Sequence, residues 1–441
     1  MSAAPTQRGM TAGLRALNRF ATSPLVDRLG IRAPAERFLH GASRTTVRTA
    51  NRAGRTFAAA QRLAHPVRQP RTGPSDLFDL SPTDEQQMLS DAVRGFALGE
   101  LRPAAQAGDA ASAAAPELLA QAGELGLNAI GVPEPLGGPL AERSAVSAVL
   151  IAEALAQGDM GLAVACFAPA AVATALSLWG DTEQQATYLP AFVGEDPPAA
   201  ALALLEPRPL FDPLRLHTRA RQASGGGYLL DGTKTLVPRG ANAELFVVGA
   251  ELAGHGPALF VLEANASGVA VEPEPAMGIR AAGNARLIFE QVRLPAGALL
   301  GDADAGVYRQ CVQLARLAWC ALAVGTGQAV LDYVIPYVKE RRAFGEPIAN
   351  RQSVAFSVAN IAIELEGLRL ATLRAASRVD QGLPFAREVA LARALAGERA
   401  MTIGSDGVQL LGGHGYVKEH PVERWYRDLR AVGVMEGALL V

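Results

Sequence analysis

Aromatic residues make up only 5 % of this 441-residue chain, and cysteine occurs three times. A core so poor in rings has to be filled by Ala, Leu and Val, which pack closely between helices, so a mostly helical globular protein is expected. Cys166, Cys311 and Cys320 sit in apolar helical sequence and read as reduced core thiols of an intracellular protein rather than a disulfide framework. Neither they nor the six histidines show metal-ligand spacing, so no metal is expected. No run of about 18 apolar residues stands out, and the first residues lack the apolar centre of a secretory leader, which argues against a membrane span or export. The net charge of −2 gives no ground for a nucleic-acid partner.

That small charge conceals an uneven distribution. Residues 1–72 hold thirteen Arg against Asp27 and Glu36, a surplus of eleven positive charges, and the remainder of the chain is correspondingly acidic. The basic part is read as a separate extension, residues 1–75, ended by a linker with Pro70, Gly73 and Pro74. Within it, Leu14, Leu17, Phe20 and Ala21 share one helical side beside Arg15 and Arg19. Such a segment is either a short amphipathic helix drawn to an anionic membrane surface, a docking helix, or a poorly ordered basic tail. A cytoplasmic protein is expected, with peripheral membrane contact through residues 1–72 under the first of these three readings.

The globular part opens at Ser81-Pro82-Thr83-Asp84, where Ser81 is the expected helix cap, and Met88, Leu89, Val93 and Phe96 follow at helical spacing. Further helices are expected over residues 116–126, 141–156, 162–179 and 182–193, giving an N-terminal α domain at 76–198. From residue 200 the pattern changes to short runs bounded by Gly, Pro, Asn or Asp, such as Leu245-Phe246-Val247-Val248 and Ala258-Leu259-Phe260-Val261-Leu262. These read as a small antiparallel β domain at 199–303. Long helical patterns return over residues 305–341, 352–381, 385–411 and 421–429, which makes 304–441 a four-helix bundle. The fold class is thus mainly α with a central β domain.

Chemistry is most legible near the end. Val408-Gln409-Leu410-Leu411-Gly412-Gly413-His414-Gly415-Tyr416 is followed by Pro421-Val422-Glu423-Arg424-Trp425-Tyr426-Arg427-Asp428 and then Val434-Met435-Glu436-Gly437. A carboxylate among Val434, Met435 and Ala438 is either a solvated helix residue or a desolvated one, whose pKa rises toward the range of a general base. Upstream stands Glu340-Arg341-Arg342-Ala343-Phe344-Gly345-Glu346-Pro347-Ile348, with Gln352 just beyond.

These two segments resemble the signatures of the flavin-dependent acyl-CoA dehydrogenases, and the likeness spans about residues 80–437. It implies α,β-dehydrogenation of an acyl-CoA thioester with FAD as cofactor, an electron-transferring flavoprotein as acceptor, and a homodimer or homotetramer. The family's base falls on Glu436, whose backbone N–H would also serve the thioester oxygen. Its flavin-binding positions fall on Arg341, Phe344, Gln352, Gln409, Gly412 and Gly413, and substrate-side positions on Arg316 and Gly437. Some members carry the base just before the residue matching Arg316; here that position is Ala315, which accepts no proton. The middle domain departs from the pattern. Leu205-Glu206-Pro207-Arg208-Pro209-Leu210-Phe211-Asp212 replaces a hydroxyl-bearing TEPxxGSD, and Leu236-Val237-Pro238-Arg239-Gly240 replaces WITNG, while Arg280-Ala281-Ala282 lacks the usual hydroxyls. Either Arg208 and Arg239 compensate, or the chain works beside a related subunit with an intact β half, or it is a non-catalytic acyl-CoA-binding assembly protein. The family usually continues past the Glu-Gly turn with a Thr-Ser pair, where this sequence reads Ala438-Leu439-Leu440-Val441, so a less firmly held base is expected.

Overall fold

The computed structural model describes residues 80–140 and 143–438. The basic extension with its residue 10–21 segment, and residues 439–441, lie outside the described residues.

The N-terminal helices are α1 (Asp84–Phe96), α2 (Arg102–Ala111), α3 (Pro116–Glu124), α4 (Ala145–Gly158), α5 (Met160–Trp179) and α6 (Thr182–Tyr188). Helix α1 is capped by Thr83, not by Ser81. The Thr83 hydroxyl accepts from Gln86 N at 3.2 Å while the Gln86 side chain accepts from Thr83 N at 3.0 Å. This reciprocal box satisfies two otherwise unpaired donors, which a Ser two residues earlier could not do. A π-helical turn at Ala97–Leu101 joins α1 to α2, a helix absent from the sequence expectation. Helix α4 starts at Ala145 rather than 141, because the Ser144 side chain accepts from Ser147 N and the bundle residue Asp380 accepts from Ala145 N (2.6 Å) and Val146 N (3.1 Å). Helix α5 is, by mean hydropathy (1.9) and length, apolar enough to cross a membrane, contrary to the expectation of no such run. Its residues instead fill the core: Leu162, Ala163, Val172, Ala173 and Leu176 are wholly enclosed.

The middle domain is one eight-stranded sheet: β1 (Ala200–Ala203), β2 (Arg219–Gln222), β3 (Tyr228–Val237), β4 (Leu245–Leu252), β5 (Gly256–Glu263), β6 (Val269–Pro273), β7 (Ala285–Leu294) and β8 (Leu299–Leu300). Its order is β6-β7-β3-β2-β4-β5-β8, with β1 also on β4. The sheet is antiparallel through most of its pairings, as expected, with two parallel exceptions: β1 and β2 both run parallel to β4. Parallel pairing joins segments distant in sequence and leaves no hairpin signal to read. Strands β4 and β5 are buried on both faces. Leu245, Val247, Leu259 and Val261 join the helical core, while Phe246, Val248, Phe260 and Leu262 build a second core under the sheet. Double-sided burial is why these two strands read as unbroken apolar runs.

The bundle comprises α7 (Ala305–Glu340), a short hairpin β9 (Arg342–Ala343) and β10 (Glu346–Pro347), then α8 (Gln352–Asp380), α9 (Ala386–Leu411) and α10 (Val422–Ala431). Helix α10 does more than close the bundle. Arg424 donates to Asp159 at 2.8 Å, Arg427 grips both oxygens of Asp109 at 2.9 and 3.0 Å, and Asp428 accepts from Ile279 N at 2.6 Å. One helix thereby ties the N-terminal helices, the sheet's Met277–Ile279 turn and the bundle together.

Candidate active site

Glu436 lies in a turn after α10 and is buried. Its φ of +54° is left-handed, a conformation that costs a non-glycine residue free energy and persists only where surroundings enforce it. Two arginines do so. Arg316 of α7 donates through Nε to the Glu436 carbonyl at 2.9 Å, and Arg393 of α9 donates to the carbonyls of Met435 (2.5 Å) and Gly437 (3.2 Å). Three consecutive carbonyls are therefore held by two cations, Arg393 buried and Arg316 half-buried. On the other side Ala438 N donates to Phe211 O at 3.0 Å, anchoring the turn to the β1–β2 loop. Gly437 has to be glycine: its φ is +103°, and a Cβ would stand 2.6 Å from Pro213 Cδ and 3.0 Å from an Arg316 nitrogen.

The carboxylate itself is asymmetrically supported. Oε1 accepts from Trp319 Nε1 at 3.1 Å, while Oε2 is buried without a hydrogen-bond partner. Burial pushes the carboxyl pKa above its ordinary value, and the Trp319 N–H, the cations of Arg393 and Arg316, and the residue's own backbone N–H only partly oppose this. The side chain faces a cavity of about 100 Å³ bounded by α5, α7 and the ends of β1 and β3, with Trp319, Leu205, Leu236, Pro238 and Met435 among its walls. Glu436 is the sole acid among those described walls, and Ala315 lines the same space with no proton acceptor. An unsatisfied carboxylate oxygen in an apolar chamber can take a proton from a carbon acid brought against it.

The remaining expected positions lie apart from this turn and face outward. Arg341 caps α7, and its exposed side chain helps line a depression with Tyr337, Glu340, His414 and His420. Phe344, at φ +57° on the hairpin, is 91 % exposed with Arg351 stacked on its ring at 4.7 Å. Gln352, Gln409, Gly412 and Gly413 are exposed as well, and no atom lies within 4 Å of where a Cβ would stand on either glycine. A cation, two carboxamides, an aromatic face and bare backbone form a suitable donor set for a dinucleotide diphosphate approached from outside this chain. The structure thus brings Glu436, Arg316 and Gly437 together and leaves the other six on an external surface. His414 accepts from or donates to the Tyr337 hydroxyl at 2.8 Å and stacks on His420, which pairs likewise with Tyr333 at 2.7 Å.

In the middle domain, Arg208 is not free to stand in for the missing hydroxyls. Its guanidinium is spent on the Asp212 and Arg215 carbonyls and His217, over the Phe211 ring. Thr235, which lines the same cavity as Pro238, donates to Glu274 at 2.7 Å. Arg239 is left-handed (φ +53°), and its Nε is buried without a partner. Trp319 and Arg393 were absent from the sequence expectation. A signal existed for Arg393: it lies on the buried face of α9 with Val389, Ala392 and Ala396, and a buried cation there demands partners.

Comparison with known proteins bears directly on this geometry. Residues 83–196, 201–292 and 305–439 match the N-terminal, middle and C-terminal domains of acyl-CoA dehydrogenases. The mitochondrial short/branched chain specific acyl-CoA dehydrogenase of Rattus norvegicus is 34 % identical over 364 residues, covering 80 % of this chain and 83 % of that protein. Butyryl-CoA dehydrogenase from Megasphaera elsdenii superposes with a TM-score of 0.77 at 28 % identity, over 82 % of this chain and 97 % of that one. A chain in the structure of the electron transferring flavoprotein of Acidaminococcus fermentans does so at 0.76 and 30 %, over the same shares. The chain belongs to the acyl-CoA dehydrogenase family of FAD-dependent oxidoreductases.

Proposed function

We propose that Glu436 is the base of an acyl-CoA α,β-dehydrogenation, taking the α-proton on Oε2. The observation that carries this reading is the partnerless, buried Oε2 at the wall of an apolar cavity, on a turn clamped by Arg316 and Arg393. Oε1 is already committed to Trp319, so the carboxylate presents one oxygen in a fixed direction. Desolvation makes that oxygen a stronger base than a carboxylate in water, and the neighbouring cations keep its ionised form accessible. In this reading the Glu436 backbone N–H turns to the thioester oxygen when substrate binds, which stabilises negative charge developing as the proton leaves. FAD, when bound, supplies the acceptor for the two electrons and the β-hydrogen. Arg341, Phe344, Gln352, Gln409, Gly412 and Gly413 would hold its dinucleotide part from a neighbouring subunit. Their outward placement, and the exposed apolar stripe Phe356, Ile363 and Leu370 at seven-residue spacing on α8, support a homodimer or homotetramer. An electron-transferring flavoprotein is the proposed acceptor.

A second reading is favoured by one observation: Pro238 offers no N–H and the Thr235 hydroxyl is bound to Glu274, so the sheet presents few donors to a flavin. In it the chain is the bundle-supplying half of a heteromer with a related subunit. The visible spectrum of the purified protein, flavin counted per subunit, followed by anaerobic addition of acyl-CoAs, separates the two. One flavin per subunit that bleaches in the wild type and not in Glu436→Gln upholds the first reading. A colourless protein that acquires flavin only with a partner upholds the second, and bleaching that persists in Glu436→Gln refutes Glu436 as the base.

A further inference from the structure

A second cavity, of about 140 Å³, adjoins the one at Glu436. Phe167, Ala171, Leu202, Ala315 and Ala318 line both, so the two chambers meet along a shared seam between α5 and α7. Three of those five walls are alanines, which leave the seam wide. Alanines recur in the far chamber, Ala148 and Ala170 among them, and its walls also include Arg143 and Trp179. On α5 the combined walls run from Ala163 to Trp179, a helical rise of ~24 Å at about 1.5 Å per residue. An extended chain advances about 3.5 Å per three backbone bonds, so a hydrocarbon of about twenty carbons is needed to traverse that whole length.

We infer that the two chambers form one acyl channel and that the preferred substrates are medium- to long-chain acyl thioesters rather than four- or five-carbon ones. The inference rests on the proposed dehydrogenase reading for its placement of the thioester at Glu436. Each methylene drawn into the alanine-lined far chamber leaves water for an apolar wall, whereas a butyryl group would leave that chamber unfilled. The half-buried Ala148 and Trp179 set the length limit, because both line the far chamber and neither lines the chamber at Glu436.

Two measurements on the full-length holoprotein test this. Calorimetry with the non-oxidisable thioethers butyl-CoA and dodecyl-CoA reads the channel without turnover, and kcat/KM for butyryl-, dodecanoyl- and hexadecanoyl-CoA reads selectivity. Dodecyl-CoA is expected to bind about 100-fold more tightly than butyl-CoA. Ala148→Phe, which fills the far chamber, is expected to lower the dodecanoyl-to-butyryl ratio of kcat/KM about tenfold or more, and Trp179→Ala to raise the hexadecanoyl-to-dodecanoyl ratio. The opposed directions keep the test decisive if one variant fails to fold. Equal binding of the two thioethers, or ratios that neither variant moves, overturns the channel. Preferential dodecyl-CoA binding with no oxidation of any acyl-CoA upholds the channel and overturns the dehydrogenase reading instead.

Discussion

Replacing Trp319 by Phe removes one atom of consequence, the indole N–H that donates to Glu436 Oε1 at 3.1 Å. Oε2 already lacks a partner, so the variant leaves neither carboxylate oxygen with a side-chain donor. A hydrogen bond to a charged group contributes about 1.5–3 kcal/mol. At 1.36 kcal/mol per pKa unit, its loss raises the carboxyl pKa further by about 1–2. As the proposed base, Glu436 works only when ionised, so the acid limb of the kcat/KM profile against pH is expected to move up by about 1–2 pH units in Trp319→Phe. Stability follows the same sign. A carboxyl whose folded pKa exceeds its unfolded value contributes most below the unfolded pKa, near 4.3, and that contribution is lost as pH rises through the folded pKa. The void left by the smaller ring costs about 1–3 kcal/mol at every pH, so the hydrogen bond is read from the additional loss of Tm in alkaline relative to acidic buffer. A rate lowered evenly across the profile, with its acid limb unmoved, would refute the claim that Trp319 governs the protonation of Glu436.

Two further outcomes test the frame around the base. Gly437→Ala places a Cβ against Pro213 and Arg316 at φ +103°, and a loss of about 2 kcal/mol or more by urea unfolding is expected, with activity reduced as the turn shifts. Asp428 is buried beside Asp159, and burial pushes its carboxyl up to about 8. Because that lies above the unfolded value of about 3.9, the wild type loses stability from this group as pH rises from 4 to 8. Asp428→Asn should flatten that part of the Tm profile, and an unchanged slope would show that Asp428 does not titrate there.

The long helices were legible because apolar residues recur along them at helical spacing, and the Glu436 turn because it sits inside a recognisable signature. Strand β2, Arg-Ala-Arg-Gln, carries one buried residue in four and announces nothing locally. Strand β6 is an exposed edge ending in Pro273, and the parallel pairing of β1 and β2 with β4 is a property of topology rather than of any window of sequence. The same distance hid the supports of Glu436. Trp319 and Arg316 stand 117 and 120 residues from Glu436, so neither could be assigned to it by spacing. Thr83 caps α1 in place of the expected Ser81 because it alone stands three residues before Gln86, the partner that completes the box.

The clamped turn also bears on the order in which competence appears during folding. Its ties reach α7, α9 and the β1–β2 loop, and most of them close long chain loops whose entropy must be lost before any contact rewards it. Helical content can be regained through local contacts alone, but the left-handed backbone at Glu436 has no support until all three segments have docked. On refolding, helical signal is therefore expected to recover in an early kinetic phase and the activity proposed for Glu436 in a later one, so this turn serves as a clock for the last tertiary contacts to form.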